Sequence, residues 1–263
     1  MIPLRHTLAP NRLPAVTRAL VAANAIVFIA QLFLGAMTER IILTFGYIPA
    51  RLAQPQAFQY TLWEVSITLA TSLFLHGGFV HLAGNMIYLW VFGGAIEDVM
   101  GHARYFLFYV ACGAAGSLAH TLLFPASTIP SIGASGSIAG LLGAFLVLRP
   151  HAKIITLFPL VVYWAMAEIP AIIFLPVWFA MQFFNGFLSL EAARRVQEVA
   201  GIAWWAHVGG FIAGMILIPF FKDPDQPLFG RRSGPIPTTP TVTRNEGPWG
   251  RRRTEIRRRG PWG

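Results

Sequence analysis

Apolar residues in this chain come in long runs, neither alternating like a half-buried strand nor confined to one stripe like a surface helix. Runs of that kind bury a helix on all sides, and at this chain length they predict a membrane bundle. Six spans are predicted, over 19–37, 80–96, 105–124, 135–148, 169–184 and 202–221. A span needs about 20 apolar residues, with about 17 as a lower bound, so the second, fourth and fifth are short. The stretch 154–167 is also apolar, but Pro159 interrupts it and Glu168 and Pro170 follow, which suits an interfacial or re-entrant piece better than a crossing. Residues 38–79 are too apolar for a floppy loop and are expected to lie partly in the outer leaflet, with Trp63 near the headgroups.

Composition agrees with this picture. Only 12% of the 263 residues are charged and mean hydropathy is +0.58, whereas a soluble domain carries about 25% charged residues. The net charge of +9 does not mark a nucleic-acid binder, because ten of the twenty Lys and Arg lie after residue 221. No nucleic-acid partner is inferred. With the N-terminus inside, the inner segments hold Arg5, Arg12, Arg18, Arg104, Arg149, Lys153 and the basic tail, and the outer ones only Arg40, Arg51, Arg194 and Arg195. That split obeys the positive-inside rule. The run 19–37 is longer than a signal-peptide core and no small-x-small cleavage site follows it, so it reads as the first span. The chain thus divides into a cytoplasmic segment 1–18, a membrane domain 19–221 and a tail 222–263. The tail carries RRR at 251–253 and 257–259 and GPWG at 247–250 and 260–263. Its composition predicts disorder, and a sharper reading is a polybasic, Trp-bearing tether to anionic lipid. The single cysteine, Cys112, sits in an apolar run and is expected to pack.

Polar groups are costly in lipid, so each one inside a span needs a reason. They are Asn24, His76, His81, Asn85, His120, Ser135, Glu168, Asn185 and His207. In Gly133-Ala134-Ser135-Gly136, the serine opens a helix, where free N–H groups and the helix dipole favour negative charge. A Ser-Gly pair at a helix start equally serves as an N-cap. His81 and Asn85 share a helix face and can both donate to an oxyanion, though such pairs also bind helices together. His207 lies five residues into the last predicted span, roughly 8 Å below its start. Gly210 and Gly214 form one small-residue face near it, and Gly136 and Gly140 form another beside Ser135, which would let the two helices approach closely. The second, fourth and sixth spans run in the same direction, so His81, Ser135 and His207 fall at a similar depth on the outer side. That convergence points to an active site.

These residues resemble the rhomboid family of intramembrane serine proteases. The likeness rests on His76 with His81-x-x-x-Asn85, on Gly133-Ala134-Ser135-Gly136, and on Ala206-His207-x-x-Gly210-x-x-x-Gly214. Gly93-Gly94-Ala95-Ile96-Glu97 and Gly101 are similar too, and the whole covers about 14–221. The resemblance implies an all-α, six-transmembrane helix bundle of the rhomboid type in a prokaryotic inner membrane. It implies a Ser135–His207 dyad without a carboxylate, and an oxyanion held by His81, Asn85 and the Ser135 N–H. His76, Gly133, Gly136, Gly210 and Gly214 would support the site. No metal or cofactor is implied, and the partners would be single-span membrane proteins and the lipid bilayer. By the same analogy the fifth span and 186–201 form a moving gate, with Phe183, Phe184 and Phe187 on its inner face or towards lipid. Two departures stand out. Ala139 occupies the place where some members stack a Tyr on the histidine, so Trp204 or Trp205 would have to orient His207. Trp63 is followed by Glu64 rather than Arg.

Two other readings compete. A rhomboid-like protein that binds membrane clients without cutting them usually lacks the Ser or the His, and both are present here. A small transporter would also place polar groups in the membrane. No inverted repeat or paired broken helices accompany them.

Overall fold

The computed structural model describes residues 1–8, 12–159, 164–193, 203–229, 243–245 and 253–255. Arg194, Arg195, the end of the expected gate and most of the tail lie outside the described residues. Residues Met1–Arg231 form one compact unit and Arg232–Gly263 another. In the second, β4 (Thr243–Asn245) pairs antiparallel with β5 (Arg253–Glu255).

The first unit begins with strand β1 (Ile2–His6) and helix α1 (Ala15–Leu34). Helices α2 (Met37–Phe45), α3 (Pro49–Ala53) and α4 (Leu62–Thr71) and a short 3-10 turn (Ser72–Phe74) follow. Then come α5 (Phe79–Met100), α6 (His102–Leu123), α7 (Ser135–Leu148), strands β2 (Lys153–Pro159) and β3 (Trp164–Pro170), α8 (Ala171–Ala193) and α9 (Trp204–Phe221). Five of these, α1, α5, α6, α8 and α9, are long and apolar enough to cross a membrane. The sixth predicted span, α7, has the predicted bounds and only 14 residues. Twelve of them are buried, so α7 is enclosed by other helices and its length need not match a lipid layer.

The stretch 154–167, expected as an interfacial or re-entrant piece, is the hairpin β2–β3. It does not cross. Ile154 and Thr156 are buried on one face, the period of two that a strand requires. β1 pairs antiparallel with β2, which brings the N-terminus to the same end of the bundle as the α7–α8 connection. The chain after α9 returns to that end through Phe229. Asp223 N–H donates to the Val99 carbonyl, Phe229 N–H to the Val147 carbonyl, and Arg149 Nη2 to Gln226 Oε1 at 2.9 Å.

The segment 38–79 is not a loop but the three helices α2–α4 and the 3-10 turn, tied to the rest of the molecule at the opposite end. Thr61 and Glu64 cap α4 reciprocally, so the glutamate after Trp63 serves the helix start. Trp63 is exposed. Tyr47, fully buried, places its hydroxyl 2.6 Å from Thr121 Oγ1 on α6.

Glu97 explains the motif around it. Its buried carboxylate accepts from Val16 N–H and Thr17 N–H, both at 2.8 Å, and from Thr17 Oγ1 at 2.7 Å. It thereby caps the open amino end of α1, where negative charge is favoured. His102 Nδ1 lies 2.6 Å from the same carboxylate. Cys112 packs in the core.

Candidate active site at the head of the short central helix

Helices α7 and α9 pack through their glycines. A Cβ at Gly210 would lie 2.9 Å from the carbonyl carbon of Gly136, and one at Gly214 would lie 2.6 Å from that of Gly140. The two small faces expected from the sequence therefore oppose each other, and only hydrogen at these positions permits the approach.

That approach joins Ser135 to His207. Ser135 is the first residue of α7 and His207 the fourth of α9, two residues closer to the helix start than the sequence suggested, because α9 begins at Trp204 rather than at 202. Ser135 Oγ and His207 Nε2 are 2.8 Å apart, a short hydrogen bond between side chains 72 positions apart in sequence. They share a cavity of about 840 Å³ whose lining includes His81, Asn85, Gly133 and Trp178.

The far wall is built from α5 and the turn before it. His76 is clamped by Gln31 of α1, whose Oε1 accepts from His76 N–H and whose Nε2 donates to the His76 carbonyl, both at 3.1 Å. Asn85 Nδ2 lies 2.9 Å from His76 Nε2. His76 Nδ1 lies 3.3 Å from the Phe74 carbonyl. The network is satisfied when Nδ1 carries the proton and Nε2 accepts from Asn85, which leaves the second amide hydrogen of Asn85 free to donate elsewhere. The His81 ring sits edge-on to His76 at 5.0 Å. Gly77 N–H approaches His81 Nδ1 at 3.4 Å, so the proton of His81 belongs on Nε2, beside Gly133.

Gly133 is needed twice over. Its φ of +111° is strained for other residues, and an added Cβ would stand 2.7 Å from His81 Nε2. Its N–H donates to the Ser72 carbonyl at 2.8 Å, which fixes the loop that delivers Ser135. The structure thus gathers Ser135, His207, His81, Asn85, His76, Gly133, Gly136 and Gly210 around one end of the bundle, with Gly214 a turn deeper.

Asn24 and Glu168 do not join them. Asn24 Nδ2 donates to Leu20 O in its own helix. Glu168 lies on β3 and pairs with Lys153 at 3.1 Å, both exposed. Phe183, Phe184 and Phe187 of α8 are about half exposed.

The orientation of His207 corrects the expectation in part. Trp204 does meet the ring edge-on at 6.0 Å. Trp205 does not: its Nε1 donates to the Gly186 carbonyl, and its ring packs on Phe183. Two side chains unnoticed in the sequence contribute instead. Trp178 lies 6.2 Å from His207 ring to ring, and Gln182 Oε1 is 2.8 Å from His207 Nδ1. The signal for Gln182 was available, since it is an uncompensated amide inside an apolar run.

A helical membrane bundle that wraps a short buried helix, with a serine at its head bonded to a histidine of the last helix, is a rhomboid-type architecture. The chain belongs to the rhomboid family: the family model that matches it is the Rhomboid domain, over residues 61–223. It is an integral multi-pass membrane protein. It is 41% identical over 156 residues to Rhomboid protein 1, mitochondrial, of Saccharomyces cerevisiae, covering 57% of this chain and 40% of that one. It is 46% identical over 78 residues to Rhomboid protease GluP of Bacillus subtilis, 30% of this chain and 15% of that one. It is 35% identical over 151 residues to RHOMBOID-like protein 5 of Arabidopsis thaliana, 57% of this chain and 42% of that one. The chain matches less than half the length of each of these relatives.

Proposed function

We propose that the chain is an intramembrane serine endopeptidase that cuts membrane-anchored proteins in or near their transmembrane segments. The observation that carries this reading is the 2.8 Å bond between Ser135 Oγ and His207 Nε2, formed at a helix head inside a cavity. His207 takes the hydroxyl proton as Oγ attacks the scissile carbonyl. The oxyanion forms beside the open N–H groups at the start of α7 and the His81 and Asn85 donors. His207 then returns its proton to the leaving amine, and water hydrolyses the acyl-enzyme. The neutral donors suit a low-dielectric site, because they stabilise charge only as it develops.

The end of the bundle that holds β1, the α7–α8 hairpin and the start of the tail carries Arg5, Arg104, Arg149, Lys153 and Lys222. That charge supports a cytosolic placement of this end and of both termini, with the dyad towards the other face. Segment 1–18, membrane domain 19–221 and tail 222–263 are the division that goes with this reading. The tail's arginines supply contact to anionic lipid.

The test is cleavage of a panel of single-span substrates in liposomes, together with labelling by a serine-directed fluorophosphonate. Wild type should cleave and label. Ser135→Ala and His207→Ala, folded by thermal shift, should do neither. Full cleavage by Ser135→Ala would overturn the assignment, and a wild type that binds such substrates without cutting or labelling would make the protein a client-binding rhomboid-like member.

A further inference from the structure

A histidine can serve as base towards Ser135 only if the nitrogen facing the hydroxyl is bare. Neutral imidazole carries its proton on one nitrogen or the other, and the partner of the far nitrogen decides which. In His207 the near nitrogen is Nε2, 2.8 Å from Ser135 Oγ. The far nitrogen, Nδ1, is 2.8 Å from Gln182 Oε1. A carbonyl oxygen can only accept, so this contact is a hydrogen bond when Nδ1 carries the proton, and Nε2 is then the acceptor.

Gln182 is itself placed by its helix. It is buried on α8, one turn after Trp178, and the two side chains share the face that meets His207. Trp178 lies against the ring at 33° between planes, and Trp204 closes the other side edge-on at 84°. On α7, the residue one turn after Ser135 is Ala139, fully buried and too small to reach the imidazole. The ring is therefore held from α8 and its own helix, not from the helix of the nucleophile.

We propose that Gln182 is the positioning residue of this dyad: its amide oxygen accepts the Nδ1 proton of His207 and so holds the tautomer whose Nε2 faces Ser135. It does without charge what a buried carboxylate does in a triad. The inference rests on the proteolytic reading of the site and adds a residue to it.

The experiment uses the full chain in liposomes, with wild type, Gln182→Leu and Gln182→Glu compared for kcat, KM, fluorophosphonate labelling rate and the pH dependence of each. His81 and His120 are the titratable side chains that act on His207 electrostatically, and both are unchanged across the series. Gln182→Leu keeps the bulk and removes the acceptor, so kcat and the labelling rate fall by about 10- to 100-fold with KM held within about twofold. Gln182→Glu keeps an acceptor and has no donor when ionised, so it retains most of the labelling rate. Its carboxylate favours the imidazolium, and the acid limb of its pH profile moves to higher pH. A Gln182→Leu protein with the wild-type kcat would overturn the proposal. So would a folded Gln182→Glu as inactive as Gln182→Leu, because that result means the amide donates rather than accepts. If Gln182→Leu fails to fold, the retained rate and shifted profile of Gln182→Glu decide alone. A wild type that neither cleaves nor labels overturns the proteolytic reading itself, and this proposal with it.

Discussion

Gly210→Ala is the smallest change that should pull the dyad apart without touching either of its members. A methyl group at 210 would overlap the carbonyl oxygen of Gly136 and sit 2.9 Å from its carbonyl carbon. Carbon atoms rest at about 3.5–4.0 Å, so relief of the carbon contact alone requires the two helices to separate locally by about 0.6–1.1 Å, and the oxygen contact sets this as a minimum. His207 lies three residues before Gly210, on the same face of α9. Its bond to Ser135, now 2.8 Å, would stretch to about 3.4–3.9 Å, at or past the limit of a hydrogen bond. A misplacement of about 1 Å costs about 10²-fold in rate. Overpacking should also cost about 1–3 kcal/mol of stability. The assay is kcat on a single-span substrate in liposomes, read beside the thermal midpoint in detergent. Gly94→Ala is the control, since its methyl would press only on Pro14 Cβ at 3.2 Å, and it should keep the wild-type rate. A folded Gly210→Ala enzyme cleaving within about twofold of wild type would refute the claim that helix spacing at this glycine sets the dyad.

Three further outcomes follow from the geometry. Asn85→Ala removes the partner of His76 and, under the proposed mechanism, an oxyanion donor, so kcat should drop by about 10²–10³-fold with the fold intact; an unchanged kcat would remove Asn85 from the site. Glu97→Ala strips the acceptor from two N–H groups at the head of α1 and should lower stability by about 3 kcal/mol, read by thermal denaturation in detergent, while a wild-type midpoint would show the cap is dispensable. Burial holds the pKa of His6, at the end of β1, below its ordinary value of 6.5. Its folded form therefore binds its proton later than the unfolded chain, and stability should decline as pH falls through the ordinary histidine range and level off below the folded pKa. His6→Phe should flatten that part of the melting-temperature profile, and identical profiles for the two proteins would exclude His6 as a source of acid sensitivity.

Much of this protein is legible along the chain because burial in lipid leaves few options. Long apolar runs must close their hydrogen bonds internally, so the helices could be drawn to within a few residues at most boundaries, and α7 had its observed bounds. The β2–β3 hairpin was missed because a short apolar run suits a strand and an interfacial piece equally, and its decisive neighbour, β1, lies about 150 residues earlier. The polar residues at Ser135, His81, Asn85 and His207 stood out by their cost in an apolar setting, and the small faces at 136/140 and 210/214 announced a close helix contact.

What the sequence determined by itself is thus the run of apolar helices, the polar residues set among them, and the pair of helices free to touch. Periodicity and composition are local, and they suffice for those. The tertiary structure alone decided which nitrogen of His207 faces Ser135, that α8 supplies Gln182 and Trp178 to its far side, and that Glu97 caps a helix some 80 residues away. Such choices depend on distances of a few ångströms between segments remote in the chain, and side-chain identity does not encode which of several available donors and acceptors will meet.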